Sequence, residues 1–407
     1  ETAYEQLLSE GFIFAKERRG YFVSDIIVEN KSEEKIKLSQ VQEKPKEYFL
    51  DLKNNGINEN NFPFSSWSKI MREVLANKPQ GLLTAMPFNG AKVLREAIAK
   101  HLYDFRGCVV DSENIVVGAG TEFLYSLIIE LLGRDKNFAL EDPGYNKIAK
   151  IYATNGVSFS YIPLDDDGVC IEELYKTNAD IVHITPSHHF PTGIVMPIKR
   201  RQELLVWAKE KEGRFVIEDD YDSEFRFVGK PLPTMQSLDE KLVIYINSFT
   251  KTLSPSIRIS FMVLPPQLMQ KFKERLSFYS NTVSSLEQLA LAKFIGNGNF
   301  ESHLNRMKKL YRQQRDKTIN AICESGFCDK SDIYEQEAGL HFLLKIKTEK
   351  TDDQFRELAE KNGINISMLS DYAFKKSLKF EHFAVINYSS INTENVKEGF
   401  SVLKTLI

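Results

Sequence analysis

Residues 248–260 read SFTKTLSPSIRIS, and this stretch decides the fold. Lys251 follows the apolar run LVIYINSF (242–249), so its amine stands just past the end of a strand. Ser248, Thr250 and Thr252 supply hydroxyls around it, and Arg258 follows further along the same segment. An amine captures an aldehyde only when it can lose its proton, and burial beside another cation lowers a lysine pKa. A phosphate needs a planar fork of donors, which Arg258 offers better than a lysine would. The segment therefore supplies an amine nucleophile and a phosphate clamp together. Taken alone it also reads as a surface lysine in a polar loop.

Upstream, VIEDDYDSEF (216–225) is a strand that ends in acids. In open α/β sheets, ligands sit beyond the carboxyl ends of the strands, which is where these side chains point. A pyridine nitrogen stays protonated beside a buried aspartate, and Asp219 is the candidate. Tyr221, two residues on and on the same strand face, is placed to reach a ring hydroxyl. Such an acidic run also reads as a solvated loop or a metal site, although no histidine lies within it. In VVGAGTEF (116–123) a strand turns through glycine into a helix, so backbone donors near Gly120 and Thr121 can hold a phosphate. EDPGYNK (141–147) sets Tyr145 after a Pro-Gly turn, where its ring can stack on a flat ligand. In isolation these last two are ordinary turns.

Each segment closes an apolar run, and the runs alternate with helical patterns. An amphipathic helix over 90–103 precedes strand NIVVGAG (114–120) and a helix over 121–132. Strands NFALEDP (137–143), GVSFSYIPL (156–164) and DIVHITPS (180–187) follow, then a helix over 199–211 and strands RFVIEDDY (214–221) and LVIYINSF. This alternation predicts an α/β domain with a mostly parallel sheet, its strands apolar throughout because both faces are covered. After Asn299 a long polar helix over 300–324 leads into strands GLHFLLKI (339–346) and FAVINYS (383–389), a smaller α+β domain.

Bulk composition narrows the class. The 407 residues, 42% hydrophobic and 27% charged, are enough for two domains and an appendage. A net charge of -3 gives no global attraction for nucleic acid or anionic membranes, so any nucleic-acid surface must be local. Cys108, Cys170, Cys323 and Cys328 lack the density of a disulfide framework, which predicts four thiols in a reducing compartment. No apolar run approaches the roughly 18 residues of a membrane span. The expected location is cytoplasmic.

The four segments fall in one order along one α/β domain, and each supplies a different part of one site. That combination resembles the fold-type I pyridoxal 5'-phosphate (PLP) enzymes, the aspartate aminotransferase family, over residues 50–407. The resemblance implies that Lys251 forms a Schiff base with PLP, that Asp219 faces the ring nitrogen and that Tyr145 stacks on the ring. It gives Arg258 the phosphate, with Ser248 as a further phosphate ligand beside Gly120 and Thr121. The family's Asn-Pro-Thr-Gly segment matches PSHHFPTG (186–193), but Phe190 stands where an asparagine contacts the ring oxygen. His189 or Tyr221 is left to make that contact.

The leading segment, ETAYEQLLSEGFIFAKERRGYFV (1–23), is similar to the end of a winged helix-turn-helix of the GntR type, the later recognition helix and the wing. Residues 24–47 have the Lys- and Glu-rich composition of a linker, with a domain boundary near Pro45. Such a reader joined to an aminotransferase-like body is the architecture of the MocR regulators, whose segments EDDYDSEF and TPSHHFP strengthen the match. The chain is thereby identified as a member of that family. Its expected domains are a DNA-binding remnant (1–23), a linker (24–47), a small domain (48–84 and 300–407) and a large PLP-binding domain (85–299). The resemblance also implies a DNA operator as partner, a homodimer and no membrane.

Aminotransferases fix the substrate carboxylate with an arginine on a small-domain strand, because bidentate pairing orients the amino acid. The resemblance puts that arginine in FAVINYSSI (383–391), where Ser389 and Ser390 stand. Beyond Arg315 the only arginine is Arg356, and a second effector arginine of the family aligns with Lys147. Keeping what holds the cofactor and losing what holds an amino acid implies that PLP is itself the signal, as in PdxR-type regulators of vitamin B6 synthesis. On that reading the chain has no catalytic residue and no metal. The rival is a working aminotransferase whose amino acid is held by Lys147 or by a partner subunit.

Overall fold

The computed structural model describes residues 2–25, 46–77, 82–229, 232–375 and 377–407, and the chain divides into two compact units, Glu1–Lys46 and Glu47–Ile407. In the first unit, helix Thr2–Ser9 precedes an antiparallel hairpin of Ile13–Lys16 and Gly20–Val23. Phe14 lies opposite Phe22 across the hairpin, and the Lys16 ammonium sits over both rings at 5.3 and 5.2 Å. The linker predicted over 24–47 falls mostly on residues 26–45, which lie outside the described residues.

The second unit is built on an eight-stranded sheet. Its strands run in the order Ile115–Gly118, Ser260–Val263, Val243–Ser248, Phe215–Asp220, Ile181–Ile184, Asn137–Asp142, Ser158–Asp165 and Gly168–Val169. The five from Val243–Ser248 to Ser158–Asp165 pair in parallel, while Ser260–Val263 is antiparallel to both neighbours. Side chains alternate between two covered faces. Ile217 packs with Ile244, Leu140 and the helical Leu124 and Ile128, while Val216 packs with Val182, Val243 and Trp207. Burying each such aliphatic side chain contributes roughly 1.5–3 kcal/mol, which is why the strands are apolar on both faces.

Helices Lys92–Arg106, Thr121–Leu132 and Ile198–Lys209 lie close to their predicted spans. The first ends at Gly107, whose φ of 64° lets its N–H turn back onto the carbonyls of Leu102 and Tyr103. Helix Phe64–Asn77 falls in a segment expected to belong to the small domain, yet its Ile70 and Val74 join the large-domain cluster with Leu94, Ile98 and Phe294.

The small domain is a four-stranded antiparallel sheet ordered Ser331–Tyr334, His341–Ile346, Phe383–Asn387, Ser367–Met368, with Leu50–Asp51 paired in parallel to Ile364–Asn365. Helix Asn299–Glu324 ties the two cores together: Phe300 and Leu304 enter the large one, and Met307, Tyr311 and Ile322 the small one.

One expectation is corrected. Cys323 and Cys328 form a disulfide, with Cα atoms 4.8 Å apart, because the chain folds back at Gly326 (φ 74°) directly after the long helix. Their spacing alone does not announce that reversal. Cys108 and Cys170 are free thiols. Among the described residues no helix is long and apolar enough to cross a membrane.

Candidate functional site

The carboxyl ends of the central strands open into a cavity of about 560 Å³, lined by Lys251, Asp219, Tyr221, Tyr145, Arg258, Ser248 and Thr121. This is the size of a small-molecule site. Parallel pairing sets Asp219 opposite Ile246, two residues before Ser248, so the aspartate and the Lys251 segment meet at one end of the sheet.

The acidic run is dispersed by the period-two alternation of a strand. Glu218 accepts the backbone N–H groups of Met235 and Gln236 at 3.0 Å and lies 3.7 Å from Arg201. Asp220 accepts from Ser223 and Tyr245 and lies 3.4 Å from Arg106. Asp222 pairs with Nδ1 of His188 at 3.0 Å. Of these acids only Asp219 lines the cavity. Its Oδ2 accepts from the Tyr125 hydroxyl and lies 3.6 Å from Nε2 of His183, while its buried Oδ1 has no hydrogen-bond partner among the described residues. Among the described residues no cluster of His, Cys, Asp and Glu could hold a metal ion.

Lys251 donates from Nζ to the carbonyl of Asn55 at 2.5 Å. Burial pushes its pKa down to about 8, against the attraction of Asp222, which raises it. A depressed lysine pKa leaves more free amine at neutral pH. Capture of an aldehyde should therefore fall about tenfold per pH unit below about 8 and level off above it. The initial rate of borohydride-trapped attachment between pH 6 and 10 checks this; a rise that continues to the ordinary lysine range would refute it. Burial, then Asp222, keeps the Tyr221 hydroxyl protonated far above its usual pKa, so it is a donor at the cavity wall. Its oxygen lies 3.3 Å from Nδ1 of His188.

At the opposite side, helix Thr121–Leu132 begins after Gly120, whose φ is 94°. A Cβ at Gly120 would lie 2.5 Å from Nη2 and 2.9 Å from Cζ of Arg258, so glycine is what lets the guanidinium reach the helix start. Arg258 donates to Glu122 at 2.9 Å. Gly120→Ala should push the half-exposed arginine aside and add roughly 1–3 kcal/mol of backbone strain. The expected result is a fold that melts cooperatively with phosphate affinity lowered at least about tenfold, checked by calorimetric titration and thermal unfolding.

Other positions were legible in part or not at all. Tyr145 is half-exposed at the cavity wall, its ring edge-on to Phe190 with centroids 5.9 Å apart. His189 is not brought to the cavity: its Nδ1 lies 2.7 Å from the Thr192 hydroxyl and its Nε2 3.3 Å from Glu141. Ser389 and Ser390 donate to the carbonyls of Gly56 and Asn54, thereby holding the loop whose Asn55 carbonyl receives Lys251. Arg356 pairs with Asp353 and Asp371 and does not line the cavity. Sequence reasoning missed Tyr125, Glu122, Lys53, Asn55 and Asn387, all of which line it. Tyr125 alone carried a signal, four positions after Thr121 on one helix face.

Residues 51–402 match the family described as aminotransferase class I and II. YdeL of Bacillus subtilis (strain 168), an uncharacterized HTH-type transcriptional regulator, is 35% identical over 99% of this chain and 87% of its own length. The probable rhizopine catabolism regulatory protein MocR of Rhizobium meliloti is 33% identical, over 84% of this chain and 69% of its own. The chain belongs to the MocR-type branch of the class I and II aminotransferase family. The pyridoxine biosynthesis regulator PdxR of Corynebacterium glutamicum is 28% identical over 91% of this MocR-type chain and 79% of its own length. Among solved structures, the kynurenine aminotransferase of Pyrococcus horikoshii shares the fold at a TM-score of 0.77 with 22% identity, over 89% of this chain and 92% of that one.

The group this fold implies is PLP, and the residues of this MocR-type site fit it. The unpartnered Oδ1 of Asp219 is an acceptor awaiting a protonated ring nitrogen, and the glycine-lined approach of Arg258 to a helix start suits a phosphate. When bound, PLP supplies an aldehyde for an amine and an electron-withdrawing ring. Asp219, held by Tyr125, would keep the ring nitrogen protonated, and Tyr221 would donate to the ring oxygen in place of the asparagine that Phe190 replaces.

Proposed function

We propose that this chain is a PLP-sensing transcriptional regulator of the MocR type, controlling vitamin B6 synthesis, with its aminotransferase-like body serving as the effector-binding domain rather than as an enzyme. One observation carries the reading: the cavity is lined by the residues expected to hold PLP, Lys251, Asp219, Tyr221, Tyr145, Arg258, Ser248 and Thr121, and by no arginine other than Arg258 among the described residues. Ser389 and Ser390 are spent on backbone carbonyls, and Lys147 is tied to Glu122. Similarity to PdxR, a transcriptional regulator of pyridoxine biosynthesis, supports the vitamin B6 part of the reading. On this reading, residues 1–23 belong to a winged helix-turn-helix, 24–47 link it to the body, and a homodimer presents two readers to a two-fold operator.

A second reading, an aminotransferase, is favoured by one feature: Lys53 also lines the cavity and brings a cation from the small-domain side. Operator binding separates the two. The full-length gene product should change its affinity for promoter DNA saturably as PLP is added and not with pyridoxal, which lacks the phosphate. DNA binding indifferent to PLP would sink the sensor, and a monomer in sedimentation with PLP bound would sink the dimer.

A further inference from the structure

Glu122 follows Thr121 at the start of a helix, where an acid commonly faces solvent and complements the helix dipole. Here it does something more specific. Its two carboxylate oxygens are engaged by cations from two other segments: Oε2 accepts from Nη2 of Arg258 at 2.9 Å, and Oε1 pairs with Nζ of Lys147. All three side chains line the cavity; Lys147 and Arg258 are about half-exposed and Glu122 somewhat less. The arginine whose approach Gly120 permits is thus already holding a carboxylate of its own chain. A phosphate monoester carries nearly two negative charges, and it cannot take the same guanidinium face while a carboxylate sits there.

We propose that Glu122 is a built-in ligand of the anion cup, occupying Arg258 until a phosphate displaces it and leaves it on Lys147 alone, and that it thereby sets the concentration of phosphorylated cofactor at which the site fills. The inference rests on the PLP reading above and adds a residue that tunes its threshold. Lys147 gives the displaced carboxylate a partner, so the exchange does not leave a bare charge. Lys147 first, then Arg258, hold the Glu122 carboxyl below its usual range, in keeping with a carboxylate that stays ionised while seated. When only a fraction of molecules is competent to bind, the apparent affinity falls by that fraction, so a cup that is self-occupied nine times in ten binds about tenfold more weakly.

The test is calorimetric titration of the parent, Glu122→Gln and Glu122→Asp with PLP and, separately, with pyridoxal. Glu122→Gln should bind PLP about tenfold more tightly and pyridoxal unchanged. Glu122→Asp keeps the charge but draws it back by one methylene, and it should tighten PLP binding as well. PLP affinity unaltered or weakened in both variants overturns the proposal, as does tightening confined to the glutamine variant, which would reduce the effect to general charge. If no variant, and not the parent, takes up either aldehyde, the PLP reading itself fails and this inference with it.

Discussion

Lys251→Ala is expected to abolish covalent attachment of PLP while leaving a weaker, reversible complex. The amine of Lys251 stands just past the end of a central strand, and burial holds its pKa down at about 8, so a usable share is unprotonated at neutral pH. The other amines lining the cavity among the described residues are Lys53 and Lys147, and Lys147 is engaged by Glu122. Positioning a nucleophile against its partner is worth many orders of magnitude in rate, so losing it should slow capture by at least about a thousandfold. On the proposed reading Asp219 and Arg258 would still hold the ring nitrogen and the phosphate, which is why binding should persist. Borohydride reduction followed by peptide mass spectrometry checks the result: the parent should carry the label on Lys251 and the variant none. A labelled variant at parental stoichiometry would show that another lysine is the nucleophile.

Bound PLP should not be turned over by ordinary amino acids. Productive reaction requires the carboxylate to be held, and one lost charge-assisted contact costs about 1.5–3 kcal/mol in binding. A reacting proton misplaced by about 1 Å costs roughly another hundredfold in rate. Ser389 and Ser390 cannot supply the contact, since both hydroxyls donate to the 54–56 loop. Lys53 and Lys147 act as point charges without the planar fork that fixes a carboxylate in two places. Conversion should therefore run at least about a hundredfold below the median enzyme turnover of about 10 per second. Stopped-flow spectra with a panel of amino and keto acids at millimolar concentration measure it. Rapid conversion with any of them would restore the aminotransferase reading and place the carboxylate on Lys53 or Lys147.

The sequence by itself determined the architecture and the heart of the site. Apolar runs and helical periods are local signals, so the alternation from NIVVGAG to LVIYINSF was sufficient for a mostly parallel sheet. Because ligands gather at the carboxyl ends of such strands, Lys251, Asp219, Tyr221, Ser248 and Arg258 could be named from their positions after those runs, and all five line one cavity. Only the tertiary structure decided that the neighbouring acids Glu218, Asp220 and Asp222 are engaged elsewhere, that His189 turns away towards Glu141 and Thr192, and that Cys323 reaches Cys328. It also decided that Ser389 and Ser390 hold a loop nearly the whole chain away, and that Glu122 sits on Arg258 across 136 positions. The physical reason is common to these cases. A periodic pattern records which face of an element is buried, whereas the partner of a polar atom is set by the order in which strands pair and by the turns between them, and nothing in a local run of residues encodes that order.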